Sequence, residues 1–178
     1  MPPKDLRHVH IRPALPADFP ALRQIEFFAF ETLRTAGAAH GPPQTSSDEE
    51  LQTYHDAGFL LAAITSDGEP VGYIGGYDAG PWLHIGEMDV HPQWQRQGIG
   101  RRLMLAILDE AQKRRLLGAT LTTDRLAPFN AAFYESLGFS ILEAADRSQR
   151  LDALLETEAA KGLDPLRRVA MRLEFQPS

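Results

Sequence analysis

The 178-residue sequence contains no cysteine. This absence excludes disulfides, thiolate nucleophiles and cysteine-ligated zinc or iron–sulfur sites, and it fits a reducing compartment such as the cytoplasm. The chain also lacks any apolar run near the roughly 18 residues that a membrane-spanning helix needs. Residues 1–7 carry charge with no apolar stretch behind them, so we expect neither a signal peptide nor a membrane partner.

Lysine and arginine are missing from the middle of the chain. Neither occurs between Arg34 and Arg96, a stretch with nine acidic residues: Asp48, Glu49, Glu50, Asp56, Asp67, Glu69, Asp78, Glu87 and Asp89. The whole chain has 18 basic and 24 acidic residues and a net charge of −6, so we expect no nucleic-acid partner. The acidic stretch is either a solubilising surface or one side of a charged binding cleft.

The remaining composition, 43% hydrophobic and 24% charged residues, is typical of a globular protein. At roughly 150 residues per domain we predict a single domain over 1–178, with its core at 8–175. Periodicity and turn residues predict strands over 8–12, 59–65, 71–77, 82–90, 119–123, 139–143 and 169–175. They predict helices over 18–33, 48–57, 99–115, 129–137 and 148–160, with Phe27, Phe28 and Phe30 mainly in the core. This order predicts an α/β fold with a mixed central β-sheet flanked by helices.

The segment Met88–Arg102, MDVHPQWQRQGIGRR, has the strongest chemical signal. Its strand ends at Val90, and a loop with Gly98 and Gly100 opens directly into a helix. Glycines let backbone N–H groups approach a ligand closely, and the unpaired N–H groups of a helix's first turn attract anions. The segment therefore predicts a pyrophosphate-binding loop, whose positive potential is reinforced by Arg96, Arg101 and Arg102. The plain alternative is an ordinary glycine turn before a helix.

Two other phosphate-binding motifs do not fit this loop. A Walker loop requires Gly-Lys-Ser/Thr, which the chain lacks. The dinucleotide fingerprint requires a third glycine where Leu103 stands, and the loop from Val90 to Gly98 is too long for its tight turn.

Two sequence motifs together resemble the GNAT superfamily, the Gcn5-related N-acetyltransferases. Residues 95–100, QRQGIG, resemble its Q/R-x-x-G-x-G/A signature. Residues 130–139, NAAFYESLGF, resemble its second motif, an asparagine and a tyrosine on a helix followed by Leu-Gly-Phe. The predicted order of strands and helices is similar to that family over nearly the whole chain. The resemblance implies the GNAT acyl-CoA N-acyltransferase fold.

The resemblance also implies how a cofactor binds. Acetyl-CoA would be the co-substrate, lying between two parallel strands that separate near Val90 and Thr123. Backbone groups of Met88 and Val90 would pair with the pantetheine arm like an added strand, and the Val90 N–H would polarise the thioester carbonyl. The pyrophosphate would bind at Arg96, Gln97, Gly98, Ile99, Gly100 and Arg101.

The catalytic residues implied by the resemblance are Glu87 and Tyr134. Near pH 7 an amine is mostly ammonium, so a base must remove a proton; Glu87 is the first candidate, and Asp89 and His84 are its competitors. Tyr134 would protonate the departing thiolate, unless it is simply a core aromatic residue. Asn130 would bind pantetheine, or would cap the helix that begins there.

The implied activity is direct transfer of an acetyl group from acetyl-CoA to the amine of a small molecule or peptide. The charge pattern adds the expectation that this amine is cationic. Alternatives are a transferase for another acyl group or acceptor atom, and a non-catalytic CoA-binding regulatory module. We expect no metal, because His8 and His10 have no apparent third ligand. The protein would act in the cytoplasm as a monomer or a homodimer.

Overall fold

The computed structural model describes residues 8–37, 39–126 and 131–177. These ranges contain the strands β1 (His10–Pro13), β2 (Leu60–Ile64), β3 (Pro70–Ala79), β4 (Trp82–Val90), β5 (Gly118–Asp124), β6 (Ser140–Ile141) and β7 (Arg168–Glu174). The α-helices are α1 (Phe19–Thr35), α2 (Asp48–Asp56), α3 (Ile99–Lys113), α4 (Ala131–Glu135) and α5 (Gln149–Ala160). Short 3₁₀ turns lie at Pro16–Asp18, Pro92–Trp94 and Ala144–Asp146.

The strands form one sheet in the order β1-β2-β3-β4-β5-β7-β6. Only β4 and β5 are parallel among the neighbouring strands of the described residues; the other pairs are antiparallel. The predicted α/β fold with a mixed sheet is confirmed, and the strand predicted over 82–90 matches β4 at both ends.

The parallel strands β4 and β5 separate halfway along their length. They pair over residues 82–85 and 118–121, although β4 continues to Val90 and β5 to Asp124. Gly86 forms a bulge in β4 where the pairing stops. A bulge bends its strand and increases the local twist. The outcome is a wedge-shaped opening between the two strands, and this opening positions the site.

Helices α3 and α1 cover opposite faces of the sheet. On one face α3 buries Ile99, Leu103 and Ile107, the side chains that its periodicity predicted. On the other face α1 buries Leu22 and Ile25. Full burial of such a side chain contributes about 1.5–3 kcal/mol, so these contacts hold both helices on the sheet.

The buried face of α1 differs from the predicted one. Phe27 and Phe28 are 43% and 38% exposed, so the expectation that they belong to the core is wrong. The buried stripe includes Leu22, Glu26 and Ala29 instead. Residues three and four positions apart share a helix face, and this stripe turns positions 27 and 28 away from the sheet. The same rotation buries an acidic side chain, Glu26.

Other predicted elements agree in position and differ in length. The strand predicted over 139–143 is reduced to β6, at Ser140–Ile141. The helix predicted over 129–137 is observed as α4, while Asn130 lies outside the described residues. None of the helices in the described ranges is long and apolar enough to cross a membrane.

Candidate active site

A cavity of about 260 Å³ lies between the end of β4 and the start of α3, and we call it the cradle. Its lining residues are Val90, Trp94, Gln95, Arg96, Gly98, Ile99, Gly100, Arg101 and Phe133. Gly98 precedes α3 with φ +83°, in the left-handed region that favours glycine. The first turn of α3 leaves backbone N–H groups without helical partners at this point, at the positive end of the helix dipole. The cradle is therefore suited to an anion such as a phosphate.

The arginines expected at the cradle divide into two groups. Arg96 and Arg101 line it. Arg102 instead donates to the backbone carbonyl of Val9 at 2.6 Å, so it links α3 to the chain just before β1. Among the other predicted residues, Gln97 does not line the cradle, and its side-chain amide donates to the Gln93 carbonyl at 3.3 Å.

Replacing Gly98 with valine tests the cradle. Gly98 lines the cradle, and a Cβ there would have no neighbouring atom within 4 Å, so a valine side chain meets no protein atom and competes only with a bound phosphate for the open space. We expect acetyl-CoA affinity, measured by calorimetry, to fall at least tenfold, about 1.4 kcal/mol. Gly80→Val is the matched control, because Gly80 has φ +64° and equally open surroundings in the β3–β4 turn, at the end of β4 away from the cradle. Unchanged affinity in a folded Gly98→Val protein would refute the cradle as the pyrophosphate site.

A larger cavity of about 490 Å³ opens where β4 and β5 separate. Met88 lines this cavity, Val90 lines the cradle, and Gln95 lines both. The Gln95 side-chain amide also donates to the Val90 carbonyl at 3.0 Å, which fixes the end of β4. The two cavities therefore adjoin along one strand.

Three carboxyl groups meet in the larger cavity: Glu26, Glu87 and Asp89, which we call the carboxyl cluster. Each offers an oxygen that lies within 4.8 Å of the other two. Glu26 accepts hydrogen bonds from the Ser46 N–H at 2.8 Å and from the Tyr73 hydroxyl at 2.9 Å. The sequence motifs indicated Glu87 and Asp89 but missed Glu26. The sequence feature that could have indicated Glu26 is its position four residues after Leu22, which places an acidic residue on the apolar face of α1.

Burial and mutual repulsion raise the pKa of every member of the carboxyl cluster. For Glu26 the pKa rises to about 8, first because of burial and then because of the negative charge of Glu87. For Asp89 it rises to about 7, through burial and the charge of Glu26. Burial, followed by the charge of Asp89, raises the pKa of Glu87 well above its ordinary value. The cluster thus retains protons near pH 7 and releases them as the pH rises.

Tyr134 lines the same cavity and belongs to the core cluster that contains the buried face of α3. Its side chain is 6% exposed, and the rings of Phe133 and Phe139 contact it edge-on at centroid distances of 5.0 and 6.0 Å. Burial, followed by the charges of Asp89 and Glu87, raises the pKa of the Tyr134 phenol above its ordinary value. Tyr134 therefore keeps its proton at neutral pH, as a proton donor requires.

His84 does not have the near-neutral pKa expected from its residue type. It is buried, and its Nδ1 lies 2.9 Å from the hydroxyl of Thr120, which also accepts a hydrogen bond from Arg150. Burial, and secondarily the charge of Arg150, lowers the pKa of His84 to about 3. A histidine this weakly basic is a poor general base, which leaves Glu87 and Asp89 as the predicted candidates.

The acidic stretch contributes unevenly to the larger cavity. Of its nine acidic residues, three line the cavity: Glu50, Glu87 and Asp89. Glu26 adds a carboxyl group from outside the stretch. On the far wall, Arg168 of β7 is paired with Glu158 of α5 at 3.1 Å. The carboxyl groups next to Glu87 therefore form a local cluster, and most of the acidic stretch takes no part in the cavity.

Two loops meet beside the larger cavity. Ala39 and Leu163 form an antiparallel β-bridge, and the His40 N–H donates to the Gly162 carbonyl at 2.9 Å. The segment that follows Ala39, over residues 44–46, lines the cavity, and so does Leu163. The loop before α2 and the loop after α5 are thus joined by backbone pairing and together form a wall, because each contributes residues to the cavity lining.

The divergent strands, the anion cradle and the adjoining acidic cavity define a transferase with two substrates, one of them an anionic group carrier. The chain belongs to the Acetyltransferase (GNAT) family, whose model matches residues 19–139. The resemblance drawn from the two sequence motifs is confirmed.

Solved structures with the same fold include acetyltransferases bound to CoA. The PaiA N-acetyltransferase of Thermoplasma acidophilum, in complex with coenzyme A, matches with a TM-score of 0.69 and 16% identity, covering 94% of this chain and 99% of that one. A GNAT family acetyltransferase of Brucella melitensis, in complex with acetyl-CoA, matches with a TM-score of 0.62 and 22% identity, covering 96% and 90%. The ribosomal-protein-S18-alanine N-acetyltransferase of Escherichia coli matches with a TM-score of 0.64 and 21% identity, covering 96% of both chains.

Proposed function

We propose that the protein transfers an acetyl group directly from acetyl-CoA to the amine of a small molecule. The observation that carries this proposal is that the cradle and the carboxyl cluster adjoin along β4, beside the opening between β4 and β5. An anionic carrier and a proton-accepting group are thereby brought to the two sides of one reaction centre.

In this proposal the cradle holds the carrier through its pyrophosphate. The backbone of residues 96–101 and the side chains of Arg96 and Arg101 supply donors and positive charge. Residues 86–90 of β4 do not pair with β5. A polar ligand can therefore hydrogen-bond to the backbone at Met88 and Val90 as a neighbouring strand would. The thioester of acetyl-CoA supplies the activated acetyl group, and the Val90 N–H is the proposed oxyanion donor. Asn130 remains a predicted pantetheine contact.

The carboxyl cluster and Tyr134 share the proton transfers. Glu87 accepts the proton that the attacking amine must lose, and its raised pKa brings its basicity closer to that of an amine. Tyr134 donates its proton to the thiolate as the carbon–sulfur bond breaks. Both groups line the same cavity, which supports an enzyme over a CoA-binding regulatory module.

The wall formed by the joined loops favours a small acceptor over a polypeptide. Leu163 and residues 44–46 of these loops line the cavity, which is partly open and whose volume of about 490 Å³ is that of a small-molecule site. A polypeptide acceptor is the alternative, because one neighbour of similar fold is by its name an alanine N-acetyltransferase of a ribosomal protein.

Thiol release from acetyl-CoA in the presence of small amines and of peptides with free N-termini tests the proposal. We expect release above the acceptor-free background with small amines and little with the peptides. Release with peptides alone would establish a polypeptide acceptor, and faster release from a longer acyl-CoA would establish another acyl group. If acetyl-CoA binds but no amine stimulates release, the protein is a CoA-binding module and the proposal is wrong.

A further inference from the structure

The carboxyl cluster contains more acid than a single general base requires. Glu87 and Asp89 come from β4, whereas Glu26 comes from α1 and is held in place by Ser46 and Tyr73. Glu26 and Asp89 are each only 8% exposed; the Asp89 side chain hydrogen-bonds to Glu87 within the cluster, and its Oδ2 atom receives no hydrogen bond from another group of the described residues. A buried carboxylate oxygen without a partner is costly unless a ligand satisfies it.

An aromatic wall stands beside the cluster. The rings of Tyr54 and Tyr77 stack with an interplanar angle of 3° and a centroid distance of 6.4 Å, and both line the cavity. The space for Tyr54 comes from Gly75 and Gly86, since a Cβ at either position would overlap its ring or its hydroxyl. Two glycines of the β3–β4 pair, one of them the bulge, thus make room for a ring next to Glu87.

Carboxylates together with aromatic faces are the groups that bind organic ammonium ions. A divalent cation also binds carboxylates, but it gains no ligand from the rings of Tyr54 and Tyr77. The ionisable groups that act electrostatically on Glu87 or line the same cavity are Glu26, Glu50, Tyr54, Tyr73, Tyr77, His84, Asp89, Asp124, Tyr134, Glu158, Lys161 and Arg168. The lysine and arginine side chains among them are Lys161 and Arg168, and Arg168 already pairs with Glu158.

We propose that Glu26, Glu87 and Asp89 bind the acceptor amine as its ammonium ion, with Tyr54 and Tyr77 flanking its carbon chain. The enzyme would therefore select primary alkylamines that are cationic in solution. This inference rests on the proposed function and specifies its acceptor. Glu26 is a positioning and specificity residue in this arrangement, because it holds the cation but neither takes the reacting proton from the amine nor gives one to the thiolate.

The proton balance follows from this placement. The ammonium ion gives one proton to the Glu87 carboxylate, and the freed nitrogen lone pair forms the carbon–nitrogen bond as the carbon–sulfur bond breaks. The nitrogen loses a second proton when it becomes an amide, and Tyr134 gives its proton to the thiolate. One of the two protons from nitrogen restores Tyr134, and the other leaves to solvent.

Calorimetry on the complex with CoA, which cannot react, tests the ammonium subsite. n-Butylamine, a cation at pH 7.5, should bind at least tenfold more tightly than 1-butanol, which is close in size and uncharged. Its binding should release protons from the carboxyl cluster, so the observed enthalpy should change with the ionisation enthalpy of the buffer, and the affinity should increase from pH 6 to pH 8.5. Equal affinity for the two ligands, or a buffer-independent enthalpy, would overturn the proposal. Mg²⁺ or Ca²⁺ binding that excludes n-butylamine would replace it with a metal site.

Glu26→Gln separates a specificity role from a structural one. We expect at least a tenfold loss of n-butylamine affinity and a rise in KM that exceeds the fall in kcat, with unchanged CoA affinity. Asp89→Asn should also lower the affinity for n-butylamine. A loss in both variants cannot be caused by a folding defect peculiar to position 26. Glu69→Gln, an exposed acid in the β2–β3 turn, is the control. If Glu26→Gln and Glu69→Gln bind n-butylamine equally, the subsite is refuted even when amines are acetylated; if none is acetylated, the proposed function itself has failed.

Discussion

Replacing Tyr134 with phenylalanine is expected to lower kcat by a factor of roughly 10²–10⁴, the usual contribution of a general acid. The phenol lies in the cavity with Glu87 and Asp89, and its raised pKa keeps it protonated. Without the hydroxyl, the thiolate must leave unprotonated or wait for water. Because phenylalanine preserves the edge-on contacts with Phe133 and Phe139, acetyl-CoA affinity and the melting temperature should remain close to wild type. Steady-state kinetics measures the fall in kcat, and calorimetry measures the acetyl-CoA affinity and the melting temperature.

The pH dependence of kcat provides the control for this assignment. A tyrosine with its ordinary pKa would lose its proton near pH 10, but burial and two neighbouring acids shift that loss upward for Tyr134. Wild-type kcat should therefore not fall between pH 7 and pH 10 through ionisation of this group. Wild-type turnover in Tyr134→Phe would mean that Tyr134 is a packing residue and that water protonates the leaving group.

The parts of the molecule that sequence could predict are those determined by neighbours along the chain. The β4–loop–α3 unit is one example. Its strand bounds, its glycine-containing loop and the buried face of α3 follow from alternation, turn residues and helical periodicity within 82–113. The two sequence motifs likewise predicted the family, which the family-model match over residues 19–139 confirms.

The parts that sequence could not predict depend on how separate elements meet. Glu26 is 47 residues from Tyr73, whose hydroxyl donates to it, so only the packing of α1 against β3 defines that contact. The aromatic wall depends on the bulge at Gly86, which shifts the pairing of β3 and β4 by one residue. Arg102 points to the carbonyl of Val9, because the helix face it occupies turns toward β1 rather than toward the loop. Local patterns contain no information about such registers.

Replacing Glu87 with glutamine should also have a large effect, lowering kcat/KM for alkylamines by roughly 10²–10⁴ through loss of the general base. Wild-type kcat/KM should rise with pH, since protonated carboxyl groups accept no proton and those of Asp89 and Glu26 ionise around pH 7 and 8. The charge of Glu87 is the second cause of the raised pKa of Glu26. Removing that charge should lower the pKa of Glu26, so the residual activity of Glu87→Gln should rise at a lower pH than wild-type activity.

A merely structural role for Glu87 would lower activity without moving this profile. The profile is measured from pH 5.5 to 9.5 with n-butylamine, and Glu69→Gln, an exposed residue that does not line the cavity, should retain both the rate and the shape of the wild-type curve. Glu87→Gln should lose less activity with 2,2,2-trifluoroethylamine than with n-butylamine. The electron-withdrawing fluorines leave that amine largely uncharged at neutral pH, so it needs no base to expose its lone pair. If Glu87→Gln keeps the wild-type rate and pH profile, the base lies elsewhere. Asp89 is then the next residue to test, because it shares the cluster and its pKa of about 7 lies near the working pH.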